Sequence, residues 1–271
     1  MTVRNNQPEL IDKLTEGIAN LTSSEEWRCY LRIQSRFHRY SFGNVLLIAA
    51  QRPDASRLAG FKAWREMNRF VRRGEKAVWI LAPMVYRDTD AAGGGREEVV
   101  RGFKFVPVFD VTQTDGEDLP EVCTQLEGED TAGHYAILLS VAQSIGFTVR
   151  DHHFDSQTNG DCSHGERRIR IEAGNTEAQR VKTLAHEIAH ALLHERFDSR
   201  ALAELEAEST AYVVCQALGI DSGNYSFGYV ATWTGGGDGA IGAIRASCGR
   251  IQRAAGTMLR AFETSATVAA A

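Results

Sequence analysis

The sequence predicts an α+β protein of two domains, the first built from helices and a β-hairpin and the second mainly helical. The chain has 271 residues, enough for one large domain or two medium ones. Its charge is uneven, because residues 1–110 hold 18 basic and 13 acidic side chains whereas the remainder holds 12 and 22. The stretch that follows residue 110 is polar, acidic and weakly periodic. We therefore expect domains at residues 1–115 and 131–271, joined by an acidic linker at residues 116–130.

Helices are predicted at the start of the first domain. Apolar residues recur at helical spacing over residues 8–21, and Ser23 with Glu26 three residues later predicts the N-cap of a second helix that extends to about Tyr40. The stretches NVLLIAAQ and GFKAWREMNRF indicate further short helices. The stretches KAVWILAPMVYRD and VRGFKFVPVFDVT predict two strands around a glycine-rich tip, which is the pattern of a β-hairpin.

Basic side chains are concentrated in residues 28–76, which hold 12 basic and 3 acidic residues. At 100° per residue, four arginines of the second helix fall within about 80° of one another and form a cationic ridge. The ridge consists of Arg28, Arg32, Arg36 and Arg39. Such a ridge is either an ordinary solvated face or part of a nucleic-acid-binding surface. Further basic and aromatic residues favour the second interpretation. They include Lys62, Trp64, Arg65, Arg69, Arg72 and Arg73.

Single-stranded DNA is the partner that this pattern predicts, because cations can follow a phosphate backbone while aromatic rings stack on exposed bases. The sequence has neither zinc-finger spacing nor an RNP-like aromatic strand motif, so specific base recognition is not supported. Trp64 is either a stacking platform or a core residue. We favour the platform because Lys62, Arg65 and Arg69 surround it in the sequence.

The stretch TLAHEIAHALLHE, residues 183–195, predicts a metal site on a helix. His186 and His190 are four residues apart, which places both imidazoles on one helix face, about 6 Å apart along the axis. Two such imidazoles suit one zinc ion, and Glu187 lies beside them to accept a proton from water. His194 lies about 12 Å from His186 along a continuous helix, so one ion cannot bind both residues.

The next predicted helix, SRALAELEAESTAYVVCQALGI, offers an acidic third ligand. Glu204 and Glu208 flank its apolar stripe one turn apart, while Glu206 is expected to point more outward. One of the two flanking acids can bind the metal and the other can accept a hydrogen bond from a ligand imidazole. The spacing alone leaves the order of these two roles open.

HExxH followed by a helix that contains ELEAE resembles the gluzincin metallopeptidases, and the two segments together are similar to the ImmA/IrrE-type metallopeptidases. The resemblance implies a zincin-like metallopeptidase domain, Zn²⁺ as cofactor, Glu204 as third ligand and Glu208 as the acid that orients a ligand imidazole. The segment from Arg39 to Met84 resembles the single-stranded-DNA-binding domain of ArdC antirestriction proteins. ArdC proteins couple such a domain to a zincin domain, in this order.

These features predict a zinc metallopeptidase that acts on a protein or peptide substrate and carries a single-stranded-DNA-binding domain, in antirestriction or in the establishment of a mobile element. One alternative is a DNA-binding protection protein with a non-catalytic metal site. Another is a signalling peptidase that cleaves a DNA-bound repressor. Apolar runs are too short to span a bilayer, and the five cysteines form no CxxC pair, so we expect a cytoplasmic protein without a membrane partner.

Overall fold

The chain forms two compact units in the computed structural model. The residues it describes are Leu10, Asp12, Leu21 and residues 24–88, 97–118, 131–196, 199–220 and 238–269. The first unit comprises Met1–Gly17 with Gly43–Pro120, and the second comprises Ile18–Phe42 with Glu121–Ala271. The break at Pro120 falls inside the expected linker, but Ile18–Phe42 differs from the expected domain 1–115 because it packs with the second unit.

Helix α1 (Ser24–Arg36) belongs to the second unit because its apolar face is buried there. Trp27 is fully buried, and its indole Nε1 donates a hydrogen bond to Ser209 Oγ at 2.9 Å. Arg39 pairs with Glu263 at 2.7 Å. These partners lie so far along the chain that no local sequence pattern could assign α1 to its unit.

Several predicted features lie outside the described residues. They are most of the helix over residues 8–21, the N-cap at Ser23, the glycine-rich hairpin tip and most of the acidic linker. The second predicted helix ends at Arg36, and a turn rather than a helix leads to Tyr40.

The first unit combines short helices with antiparallel strands. Its elements are α2 (Phe42–Gln51), β1 (Leu58–Ala59), α3 (Phe61–Glu66), β2 (Arg69–Val71), β3 (Val78–Asp88), β4 (Glu97–Asp110), a 3-10 turn (Val111–Gln113) and β5 (Thr114–Gly116). Strands β3 and β4 form the predicted hairpin in a sheet of order β1-β4-β3, and β2 pairs with β5. The stretch GFKAWREMNRF is helical only to Glu66, because Asn68 adopts a positive φ of 54° and the chain continues into β2.

Asp110 connects the end of β4 to the loop before β1 through hydrogen bonds. Its fully buried carboxylate accepts hydrogen bonds from the backbone N–H of Ser56 at 2.7 Å and of Arg57 at 3.0 Å. Thr112 donates to the same group through its backbone N–H and its hydroxyl, at 3.0 and 2.6 Å. Burial raises the pKa of Asp110, but these hydrogen bonds outweigh burial and hold the pKa below its usual range.

The remainder of the second unit is a small mixed sheet covered by helices. Its elements are α4 (Thr131–Ser144), β6 (Thr148–His152), β7 (Gly160–Ser163), β8 (Arg168–Glu172), α5 (Glu177–Leu193), α6 (Arg200–Ala217) and α7 (Asp238–Ala269). Strand β8 is central, parallel to β6 and antiparallel to β7, which leaves β7 at an edge. The mixture of helix and strand confirms the predicted α+β class. Within the described residues, no helix has the length and apolar character that a bilayer span requires.

Candidate metal centre

Helix α5 positions the two histidines of the HExxH motif. Thr176 caps its N-terminus with a side-chain oxygen, and an apolar stripe fixes its rotation. The buried stripe contains Val181, Leu184 and Ile188. His186 Nε2 and His190 Nε2 consequently lie 3.0 Å apart on the neighbouring face. Two imidazole lone pairs at this distance repel unless a proton or a metal ion lies between them, so the pair is suited to sharing a cation.

Glu204 completes a set of three donors from the neighbouring helix α6. Its Oε2 lies 3.5 Å from His186 Nε2 and 3.7 Å from His190 Nε2. Three ligand atoms at about 2.1 Å from one tetrahedral ion are about 3.4 Å from one another. Since the three observed separations are 3.0, 3.5 and 3.7 Å, the donor set fits a single divalent metal ion.

Glu208 contacts the far side of the His186 ring. Its Oε2 lies 3.2 Å from His186 Nδ1, and its Oε1 lies 3.2 Å from Lys182 Nζ. Burial lowers the pKa of His186, but the hydrogen bonds with Glu204 and Glu208 outweigh burial and raise the pKa to about 9. A metal ion and a proton therefore compete for this imidazole.

Glu187 lies next to the three donors in a buried position. Its residue surface is 6% exposed. Burial raises the pKa of its carboxyl group to about 7, with a smaller contribution from the negative charges of Glu204 and Asp161 and an opposing one from His186. A carboxyl group with this pKa can accept and release a proton near neutral pH.

A cleft of about 360 Å³ lies beside the three donors and is lined by residues of α5, α6 and β7. Gly160 of β7 allows the strand to approach α5 closely. A Cβ atom at this position would lie 2.6 Å from Thr183 Cγ2 and 3.2 Å from Glu187 Cγ, so a side chain would displace the strand. Gly160 could not be predicted from the sequence, because a contact between strand and helix leaves no local pattern.

Glu206 is buried, which corrects the expectation that it points outward. Only 1% of the residue is exposed, and its carboxylate accepts hydrogen bonds from Ser247 Oγ at 2.7 Å and from Arg250 Nε at 2.9 Å. It also lies 3.2 Å from His194 Nε2. Burial raises the pKa of Glu206, but these hydrogen bonds outweigh burial and lower the pKa to about 2. Helical periodicity missed this burial because the partner helix α7 lies far along the chain.

The predicted nucleic-acid-binding residues are distributed over both units. Those that are exposed in the second unit are Arg28, Arg32, Arg36 and Arg39. Those that are exposed in the first unit are Lys62, Arg65, Arg72 and Arg73. Arg69 and Arg72 have internal partners, because Arg69 donates to Thr114 Oγ1 at 2.8 Å and Arg72 pairs with Glu75 at 2.9 Å. These two arginines therefore stabilise the first unit.

Trp64 is a core residue, which contradicts the expectation of a stacking platform. It is 1% exposed, and its indole Nε1 donates to the carbonyl oxygen of Phe109 at 2.9 Å. The charged residues beside it in the sequence occupy the exposed faces of the short helix α3. Large exposed aromatic side chains are found instead at Phe61, Phe70 and Phe103, with 50%, 55% and 65% of the residue exposed.

Two protein families match separate parts of the chain. Residues 134–219 match the model of the M78 peptidase family, described as an IrrE N-terminal-like domain. Residues 5–111 match the N-terminal domain of anti-restriction factor ArdC. The two matches follow one another along the chain in the order that the sequence resemblance implied.

Solved structures share this fold. The crystal structures of the antirestriction ArdC protein from the R388 plasmid, one metal-free and one bound to Mn(II), each match with a TM-score of 0.52. They are 22% and 21% identical, and the match covers 82% of this chain and 85% and 84% of theirs. An uncharacterized protein of Bacillus anthracis is 27% identical over 86% of this chain. The chain spans 47% of the length of that relative.

Proposed function

We propose that this protein is a zinc-dependent metallopeptidase coupled to a single-stranded-DNA-binding domain, with a role in antirestriction. The observation that carries the peptidase proposal is the convergence of His186, His190 and Glu204 beside the buried Glu187. Two imidazoles and one carboxylate are a donor set of catalytic zinc sites, in which the fourth position is open to water or substrate. When bound, the ion acts as a Lewis acid that polarises water and the carbonyl group of the peptide.

The protein's own side chains supply the proton transfers. Glu187, whose pKa burial raises to about 7 in the metal-free protein, would accept a proton from the attacking water and then donate it to the leaving amine. Glu208 contacts the Nδ1 atom of the His186 ring, which would keep Nε2 of that ring directed at a bound ion. The half-exposed Glu204 leaves the centre open to solvent and substrate.

Strand β7 is suited to binding an extended peptide beside the centre. Within the described residues, β7 pairs only with β8, so its outer edge has no strand partner. Its residues Gly160, Asp161 and Cys162 line the same cleft as the three donors. A peptide added to such an edge gains backbone hydrogen bonds while its side chains occupy alternate sides.

The first unit supports the DNA-binding part of the proposal. It carries exposed basic side chains together with the exposed aromatic rings of Phe61 and Phe70, and α3 packs near β2, on which Phe70 lies. Cations neutralise phosphates and aromatic rings stack on unpaired bases, without requiring a particular sequence. Antirestriction is proposed from the match of residues 5–111 to the ArdC domain.

The same match favours a second candidate function, a protection protein that acts by binding DNA and has a non-catalytic metal site. The variant Glu187→Gln separates the two functions, because it removes the proton acceptor and leaves the three donors. Glu177→Gln, an exposed acid on the same helix, is the matched control. A restriction-protection assay in cells should show loss of protection for Glu187→Gln alone. Full protection by this variant would favour the DNA-binding candidate.

A further inference from the structure

The two nitrogens of the His190 ring have different partners. Nε2 faces the proposed metal position, 3.0 Å from His186 Nε2 and 3.7 Å from Glu204 Oε2. Nδ1 points the opposite way and lies 2.9 Å from His194 Nδ1. His194 is four residues further along, at the C-cap of α5, so its ring lies one turn beyond that of His190, with the ring centroids 4.9 Å apart. Whereas His186 is held by a carboxylate, His190 is held by a second imidazole.

His194 is itself held by a buried charged group. The residue is 5% exposed, and its Nε2 lies 3.2 Å from Glu206 Oε2. Glu206 receives further hydrogen bonds from Ser247 and Arg250 of α7. A carboxylate that already accepts from a guanidinium and a hydroxyl presents only acceptor oxygens to His194.

The direction of each hydrogen bond follows from these contacts. Glu206 accepts, so the Nε2 atom of His194 carries a proton and donates it. In a neutral His194 ring, Nδ1 is then the acceptor, so the Nδ1 atom of His190 must carry a proton and donate. His190 is thereby left with its lone pair on Nε2, directed at the metal position.

We propose that His194 is a positioning residue that fixes the tautomer and ring orientation of the metal ligand His190, with Glu206 and Arg250 holding His194 in turn. This inference rests on the proposed metal site. It makes helix α7 part of the metal centre, although α7 lies beyond the matched residues 134–219. Ligand histidines in proteins are commonly fixed through their second nitrogen in this way, and loss of such a contact weakens metal binding by about 10–100-fold.

The test uses the full-length, metal-free protein and a zinc titration in competition with a chromophoric chelator. His194→Phe keeps a ring of similar size but cannot accept from His190. His194→Gln restores an acceptor for His190 and a donor for Glu206. His153→Phe, at a side chain that is 84% exposed, is the matched control. We expect His194→Phe to lower zinc affinity by about 10–100-fold, His194→Gln to recover most of that loss, and the control to match the wild type.

Thermal unfolding of the metal-free variants shows whether each is folded. If His194→Phe does not fold, the zinc affinity of His194→Gln and the nitrogen-15 NMR shifts of the zinc-loaded wild type test the proposal instead. The proposal requires a proton on Nδ1 of His190 and on Nε2 of His194. The opposite tautomer of either ring, wild-type affinity in a folded His194→Phe, or equal loss in the Phe and Gln variants would overturn it. A wild-type protein that binds no zinc would instead contradict the proposed metallopeptidase function.

Discussion

Glu204 Oε2 lies 3.5 Å from His186 Nε2, although the two residues stand on different helices. This contact brings a carboxylate from α6 to the imidazole pair of α5 and converts a two-residue motif into a three-donor site. The carboxylate of Glu206, two residues further along α6, is directed instead to Ser247 and Arg250. Neighbouring acids on one helix thus have different contacts.

We predict that Glu204→Gln weakens zinc binding by more than about 100-fold, beyond the 10–100-fold typical of a group that only orients a ligand. The carboxylate supplies one of three donor atoms and negative charge, and an amide oxygen is a poor replacement. Competition titration of the purified protein measures the affinity. Glu177→Gln should bind zinc as the wild type does. An unchanged affinity in Glu204→Gln would mean that the third ligand lies elsewhere.

We predict that Glu187→Gln retains zinc and the fold while peptide hydrolysis falls by about 10²–10⁴-fold, because only the proton-transfer group is lost. The measurements are zinc content, thermal unfolding and cleavage of a mixed peptide library followed by mass spectrometry. Cleavage at the wild-type rate would exclude Glu187 as the general base.

We predict that Phe61→Ala and Phe70→Ala each weaken single-stranded-DNA binding by about 1–3 kcal/mol, because each removes an exposed stacking surface. Met67→Ala, at another exposed apolar residue, is the control. Fluorescence anisotropy with the full chain is the measurement, because a fragment ending at residue 115 would separate α1 from its packing partners. The affinity should fall with salt, with a logarithmic slope of about −0.7 for each neutralised phosphate. Unchanged affinity in both variants would contradict stacking at these positions.

We predict that Trp64→Ala destabilises the first unit by about 3–5 kcal/mol, as expected for loss of a buried aromatic side chain. Loss of the indole also leaves the carbonyl oxygen of Phe109 without its hydrogen bond. Chemical denaturation followed by circular dichroism measures the change. A folded variant of wild-type stability that had lost only DNA affinity would restore the stacking interpretation.

We predict that Asp110→Asn lowers the free energy of unfolding of the first unit by about 1–3 kcal/mol at pH 7, because its charged hydrogen bonds are weakened. The pKa of Asp110 is lower in the folded than in the unfolded state, so its stabilisation is complete above about pH 4 and is lost as the pH falls through the folded pKa. The difference between wild type and variant should therefore shrink in acid. Asp54→Asn, at an exposed side chain, should show no such difference. A difference that stays constant down to pH 2 would contradict this account.

The local patterns of the sequence predicted the helices that carry the proposed metal site. The spacing of four residues places His186 and His190 on one face of a helix, whatever surrounds that helix. The family resemblance implied Glu204 as the third ligand. The distance of about 12 Å along the helix between His186 and His194 predicts that they do not share an ion, and His194 is not among the three donors that converge. The prediction for His194 did not include its contact with His190, although the two residues are four positions apart on one helix.

Long-range packing determines the contacts that the sequence does not predict. Glu206 is buried by Arg250 of α7, Trp27 fixes α1 through Ser209, and Trp64 reaches the backbone of β4. None of these contacts leaves a periodic pattern near either residue. Charged neighbours in the sequence show only that some face of a short helix is exposed, and they do not show which face carries the aromatic ring.

We propose that one ion binds to His186, His190 and Glu204. A crystal of zinc-loaded protein, measured on both sides of the zinc absorption edge, locates the ion directly. We expect one anomalous peak at about 2.0–2.2 Å from His186 Nε2, His190 Nε2 and a carboxylate oxygen of Glu204. A zinc-loaded crystal with no peak at these three atoms, or with its peak at other residues, would contradict the claim.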